Sequence, residues 1–166
     1  GRVLGEESLV LLGVDVGNTQ TVIGLFDGAE LKADWRISTN KGETADEMAV
    51  TVADLLGLAG MGLSDVSHVV ISSVVPHYTA ALQELARRHT GAEPLTVGPG
   101  VKTGLTILYD NPHEVGADRI VNAVAALAKH PEGAVVVDFG TATTFDAVTG
   151  KGEYMGGVIC PGIEVS

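Results

Sequence analysis

The 166-residue sequence predicts an α/β chain of two similar lobes, with mixed sheets, flanking helices and a second lobe only begun. Three observations carry that prediction. An apolar run ending in Asp-x-Gly occurs twice, at residues 9–16 (LVLLGVDV, leading into Gly17) and at residues 134–141 (AVVVDFGT). Set side by side, V14-D-V-G-N-T-Q-T and V137-D-F-G-T-A-T-T share Val, Asp, Gly and a late Thr in register, the mark of an internal repeat. Between the two, short apolar runs alternate with capped or amphipathic helical stretches, as a layered α/β lobe requires.

The elements follow in order. Residues 9–16 read as a buried strand and Gly17-Asn18-Thr19 as a turn; Thr21 to Phe26 return as a second strand, with Asp27-Gly28 as a hairpin signal. Leu31 to Ile37 suit a third strand. Thr44 is an N-cap, and Glu47 completes a capping box ahead of apolar residues that run to Leu58. Val66 to Val75 reads as a strand, His77 to His89 as a helix, Pro94 to Val97 as a short strand and Gly116 to His130 as a helix. Residues 134–141 and 143–148 then repeat the opening hairpin, and a turn at Thr149-Gly150 leads to more strand. The first lobe, βββαβα, is expected over 1–131 with a substrate motif on its last helix. The second is expected over 132–166, incomplete, with an apolar sheet face exposed.

Composition narrows the function classes. Hydrophobic residues make up 45% of the chain and aromatics 4%, so the core rests on Val, Leu, Ile and Ala. A formal net charge of −11, from 21 acids and 10 bases, argues against a nucleic-acid partner. No apolar run reaches the roughly 18 residues of a membrane span, and the opening GRVLGEESLV does not read as a signal peptide. A cytoplasmic protein is expected. The single Cys160 excludes an internal disulfide and reads as a small buried hydrophobe. His68, His77, His89, His113 and His130 form no metal-ligand pair; His113 lies within a candidate substrate motif. Trp35 reads as a packing residue on the third strand, and Arg87-Arg88 as a solvated helix end.

Four segments carry chemistry. In Asp15-Val16-Gly17-Asn18-Thr19, Gly17 permits a sharp turn, Asn18 and Thr19 offer donors to phosphate oxygens, and Asp15 can hold a hydrated Mg²⁺. A plain hairpin with an Asx-turn is the alternative. Asp138-Phe139-Gly140-Thr141-Ala142-Thr143-Thr144 repeats the design, with Thr141 and Thr143 as hydroxyl donors and Asp138 as a cation ligand. A pair of such turns, one per lobe, would grip a nucleotide's phosphates from both sides. In Tyr109-Asp-Asn-Pro-His-Glu-Val-Gly116-Ala117-Asp118-Arg119, Asp118 suits the helix dipole as a cap. Arg119 at that end is not favoured by the dipole, and suggests an anionic partner, either nearby in the chain or a substrate carboxylate. Gly156-Gly157-Val-Ile-Cys-Pro161-Gly162 suits either a glycine-rich turn or a strand packed on a flat ligand such as adenine.

These four segments, in this order, resemble the type III pantothenate kinases, of the acetate kinase, sugar kinase, heat-shock ATPase and actin superfamily. DVGNT is similar to the family's first phosphate motif, PHEVGADR to its pantothenate motif, DFGTATTFD to its second phosphate motif and GGVICPG to its nucleotide-side glycine motif. The resemblance spans roughly residues 10–164. It implies a two-lobed actin-like (ribonuclease H-like) ATPase fold and ATP-dependent phosphorylation of pantothenate to 4'-phosphopantothenate, the first step of coenzyme A biosynthesis. By resemblance, Asp15, Val16, Gly17, Asn18, Thr19, Gln20, Thr21, Val22 and Thr141 contact ATP with its Mg²⁺, which Asp15 holds through water. Asp118 matches the proton acceptor. Tyr109, Gly116, Ala117, Asp118 and Arg119 match substrate-binding positions, and Asp138 the ligand of a monovalent cation, K⁺ or NH₄⁺. A homodimer is implied too. The family normally continues for several tens of residues beyond the matching segment, supplying the rest of the second lobe, so by resemblance the second lobe looks cut short. The rival expectations are a non-catalytic regulator of the same fold, an actin- or chaperone-like ATPase module, and a sugar kinase.

Overall fold

The computed structural model describes residues 9–98, 100–109 and 111–162, apart from the side chain of His113. The expectations placed on the opening segment and on the His113 side chain lie outside the described residues. The chain divides into two compact units, Gly1–Thr96 and Val97–Ser166.

The first unit is built on strands β1 (Val10–Val16), β2 (Gln20–Asp27), β3 (Glu30–Ser38), β4 (His68–Ser73) and β5 (Leu95–Thr96), in the sheet order β3-β2-β1-β4-β5. β1–β2 and β2–β3 are antiparallel, while β4 runs parallel to β1 and β5 parallel to β4. Period-two alternation sends Val10, Leu12, Val14 and Val16 to one face, and Ile23, Leu25, Val69 and Ile71 join them there. Helix α1 (Ala45–Leu58) covers that face with Met48, Val52 and Leu56, which recur every fourth residue. Helix α2 (Pro76–Leu85) adds Tyr78, Leu82 and Leu85, and a π-helical turn, Ala86–Thr90, extends it. Each such large side chain, fully buried, stabilises the fold by about 1.5–3 kcal/mol. Trp35 packs partly buried against this core, as its strand position suggested.

The predicted signals act as expected here. Gly28 turns the β2–β3 hairpin at φ 59, a conformation a side chain would strain. Thr44 caps α1 through the Glu47 amide, and the Glu47 carboxylate accepts from the Thr44 N–H at 2.9 Å. That hydrogen bond lowers the Glu47 pKa from its ordinary value. Arg87 pairs with Glu93 and Arg88 with Glu84, both exposed at the helix end.

The second unit holds strands β6 (Thr106–Ile107), β7 (Gly133–Phe139), β8 (Ala142–Thr149) and β9 (Glu153–Pro161) in the order β6-β9-β8-β7. β7, β8 and β9 form an antiparallel meander like β1, β2 and β3, so the repeat read in the sequence is structural. Helix α3 (Ala117–Lys129) packs on β7 and β8. The compact units therefore divide after Thr96, whereas the sequence placed the boundary after residue 131; α3 shares its packing with the second sheet. β6, two residues long and paired with β9, was not expected.

The opposite face of this sheet presents Val135, Val137, Phe139, Phe145 and Val158, all exposed. Cys160 lies in the same row, paired in register with Thr143, and is exposed. The expectation that it is a buried hydrophobe is corrected: alternation along β9 turns it away from the face that α3 packs.

Candidate active site

The two Asp-x-Gly turns lie one in each unit. In the first, the Gly17 N–H closes the turn on the Gln20 carbonyl at 2.9 Å, so backbone donation outward falls to residues after it. A Cβ at position 17 would stand 3.1 Å from that carbonyl, which is why glycine suits the position. Asp15, Asn18, Thr19 and Gln20 are exposed, Gly17 and Val22 half-buried. Val16 and Thr21 are each 1% exposed, so only their backbone can face a ligand. Thr39, which the sequence reading missed, braces the turn. Its hydroxyl donates to the Gly17 carbonyl at 2.8 Å, its N–H to the Thr19 carbonyl at 2.9 Å, and its hydroxyl lies 2.9 Å from that of Thr21. Lys41 was missed too: its ammonium donates to Asn18 Oδ1 at 3.3 Å, setting a positive charge beside the turn.

The second turn is one residue tighter. Gly140 N–H donates to the Ala142 carbonyl at 3.0 Å, and Phe139 pairs with Thr143 where Val16 pairs with Thr21. Thr143, 7% exposed, therefore occupies the place of Thr21, although in the sequence alignment Thr144 falls there. Thr141 is exposed at the tip and Asp138 is exposed near the end of β7.

Helix α3 begins at Gly116, whose extended backbone (φ −61, ψ 149) serves as an N-cap without a side chain. Asp118, half-buried in the first turn, accepts the Arg119 N–H at 2.8 Å, the capping contact the sequence allowed. Ala117 is buried beneath it. One turn later on the same helix face, Asn122 donates to Asp138 Oδ2 at 3.1 Å. Asn122, which no motif singled out, thus ties α3 to the sequence-predicted cation ligand one turn after the sequence-predicted proton acceptor.

Arg119 is directed to a partner within the chain. It is 8% exposed; its Nε donates to Asp146 Oδ1 at 2.8 Å, and its Nη2 lies 2.5 Å from the same oxygen. The Tyr154 hydroxyl donates to that carboxylate as well, and burial followed by the Asp146 contact pushes the phenol well above its ordinary pKa. Burial opposes the charge on Arg119, but the hydrogen bond and charge of Asp146 outweigh it, and the Arg119 pKa is raised. Of the two anionic partners the sequence left open, the chain itself supplies one. In the sequence Asp146 is the last residue of DFGTATTFD, with no role assigned to it, in a strand whose alternation places it inward.

The glycine motif is explained by packing inside the unit. A Cβ at Gly157 would collide with the Phe145 carbonyl, the Arg119 guanidinium and the Asp146 carboxylate; at Gly162 it would collide with the Thr141 carbonyl. Tyr109, 38% exposed, lays its ring against Gly156, which holds φ 115. Among the described residues no three His, Cys, Asp or Glu side chains gather as a metal cage. Asp138 and Asp15 are exposed carboxylates, a donor type that fits a hard, still largely hydrated cation.

The sequence model of the family described as type III pantothenate kinase matches residues 11–166. The chain belongs to that family. Curated family members named type III pantothenate kinase agree: that of Geotalea uraniireducens is 55% identical over 157 residues, covering 95% of this chain and 61% of the relative. Those of Geobacter sulfurreducens and Myxococcus xanthus are 55% and 54% identical over the same length, with 62% and 61% of the relative covered. The chain thus spans about three-fifths of the length of the curated relatives it matches. Among solved structures, component A of (R)-2-hydroxyglutaryl-CoA dehydratase from Acidaminococcus fermentans aligns at a TM-score of 0.57 and 16% identity, over 93% of this chain and 48% of that one. YeaZ from Pseudomonas aeruginosa aligns at 0.52 and 16%, over 92% of this chain and 67% of that one. This likeness is one of fold: the family member has the actin-like α/β fold with two sheets and flanking helices that its sequence predicted.

Proposed function

We propose that the enzyme carrying this chain transfers the γ-phosphoryl group of ATP to the primary hydroxyl of pantothenate, forming 4'-phosphopantothenate and ADP on the way to coenzyme A. The observation that carries this reading is the head of α3, where half-buried Asp118 lies one helical turn before the Asn122–Asp138 hydrogen bond. As the hydroxyl oxygen bonds to the γ-phosphorus, the bond from phosphorus to the β,γ-bridging oxygen breaks and the hydroxyl proton passes to the Asp118 carboxylate. Family membership supports the choice of substrate and of phosphoryl donor.

In this reading residues 15–22 and Thr141 lie along the ATP phosphates, with Val16 and Thr21 contributing backbone only. Lys41 adds positive charge that a chain of net charge −11 otherwise lacks there. Asp15 would hold Mg²⁺, through water, and Asp138 a monovalent cation, K⁺ or NH₄⁺. Both would neutralise developing phosphoryl charge. Tyr109 and Gly116 to Arg119 shape the pantothenate side, with Arg119 acting through its position on α3. A homodimer working in the cytoplasm completes the reading. A non-catalytic regulator has less support, because Asp15, Asp118 and Asp138 are all in place.

The test is product analysis by mass spectrometry after incubation with Mg-ATP and either pantothenate or a panel of hexoses. Phosphopantothenate alone is expected. A hexose phosphate without phosphopantothenate would replace this reading with that of a sugar kinase.

A further inference from the structure

Asp146 lies on β8, 1% exposed, and two hydrogen-bond donors converge on it, Arg119 Nε and the Tyr154 hydroxyl, with Arg119 Nη2 beside them as an ion-pair contact. Arg119 approaches from α3 through both Nε and Nη2, and Tyr154 reaches it from β9 with its hydroxyl. The Tyr154 ring is 0% exposed, and its centroid lies 6.0 Å from the Arg119 guanidinium carbon, within cation–π range. Gly157, on the neighbouring strand, leaves the space the ion pair occupies. An acid so buried needs a partner, and a guanidinium so buried needs an acid; removing either leaves an uncompensated charge. The pair therefore ties the first turn of α3 to the sheet at one point. Asp118 immediately precedes Arg119 and accepts its N–H.

We propose that Asp146, supported by Tyr154, is a positioning residue for phosphoryl transfer: it clamps Arg119 and thereby fixes the orientation of Asp118. This rests on Asp118 being the proton acceptor. The clamp acts on the step in which the base must meet the substrate hydroxyl, so loosening it lowers kcat and leaves the KM for ATP unchanged.

Two variants of the whole enzyme test it, Asp146→Asn and Tyr154→Phe, each read by steady-state kinetics and by amide hydrogen exchange over residues 117–121. Asp146→Asn is expected to lower kcat by roughly 100-fold, the effect of a misplaced catalytic group. Tyr154→Phe, which keeps the ion pair and removes one hydrogen bond, is expected to lower kcat by about 3- to 10-fold. Both speed exchange in the α3 first turn, with residues 10–27 exchanging as before. If Asp146→Asn does not fold, Tyr154→Phe decides alone. A folded Tyr154→Phe enzyme with wild-type kcat and wild-type exchange at 117–121 overturns the proposal. Failure of the unaltered enzyme to phosphorylate pantothenate would instead sink the functional reading, while the exchange data would still report whether the clamp exists.

Discussion

Single residues decide how the two turns and the helix head are used. The sequence marked Asp15, Asp118 and Asp138 by motif, and all three side chains stand at least partly exposed at strand or helix ends. It did not mark Thr39, Lys41 or Asn122, and it marked Asp146 only as the last residue of a phosphate motif, because each meets its partner across a distance in sequence: 22 residues for Thr39 and Gly17, 23 for Lys41 and Asn18, 16 for Asn122 and Asp138, 27 for Arg119 and Asp146. Local pattern contains no record of such pairings. Arg119 shows the consequence. Its charge and unfavourable helix position pointed correctly to an anion, but only the fold reveals that Asp146 supplies one. For Lys41 the reading makes a direct prediction. Lys41→Gln removes the cation beside the first turn and is expected to raise the KM for ATP by about 3- to 10-fold while leaving the KM for pantothenate unchanged, as steady-state titration of each substrate would show.

At the level of elements, period and capping carried most of the information. The four Val and Leu side chains of β1 alternate inward, and the Thr44–Glu47 box starts α1 where the sequence placed it. The repeat was legible as a strand, a turn and a returning strand, but the register of its second copy was not, because shortening a hairpin by one residue shifts the pairing without changing composition. The short β6 was invisible for a similar reason: a two-residue strand has no period. Thr44→Ala is expected to destabilise the first unit by about 1 kcal/mol, measured by urea unfolding at neutral pH. The Glu47 half of the box has a pH signature. Its folded pKa is lowered, so its contribution is present above the unfolded value and is lost as pH falls through the folded one. Stability from this source should thus decline below the ordinary glutamate value of 4.5, and Glu47→Gln should flatten that part of the unfolding profile.

For the molecule as a whole, two units each carry a meander, and the chain is one of the type III pantothenate kinase family. A formal net charge of −11 implies self-repulsion that salt screens. Raising choline chloride from low concentration to about 0.15 M, where the screening length is about 8 Å, should raise the melting temperature. KCl should raise it further than choline chloride if Asp138 holds K⁺; equal curves in the two salts would remove that assignment. The central claim is that Asp118 accepts the proton from pantothenate. The most direct measurement is pantothenate-dependent ADP release by the whole enzyme and by its Asp118→Asn variant, both confirmed folded by circular dichroism. The account predicts release from the first that requires pantothenate, and a loss of 100-fold or more in the second, about the full contribution of a general base. Wild-type turnover in the variant would contradict it.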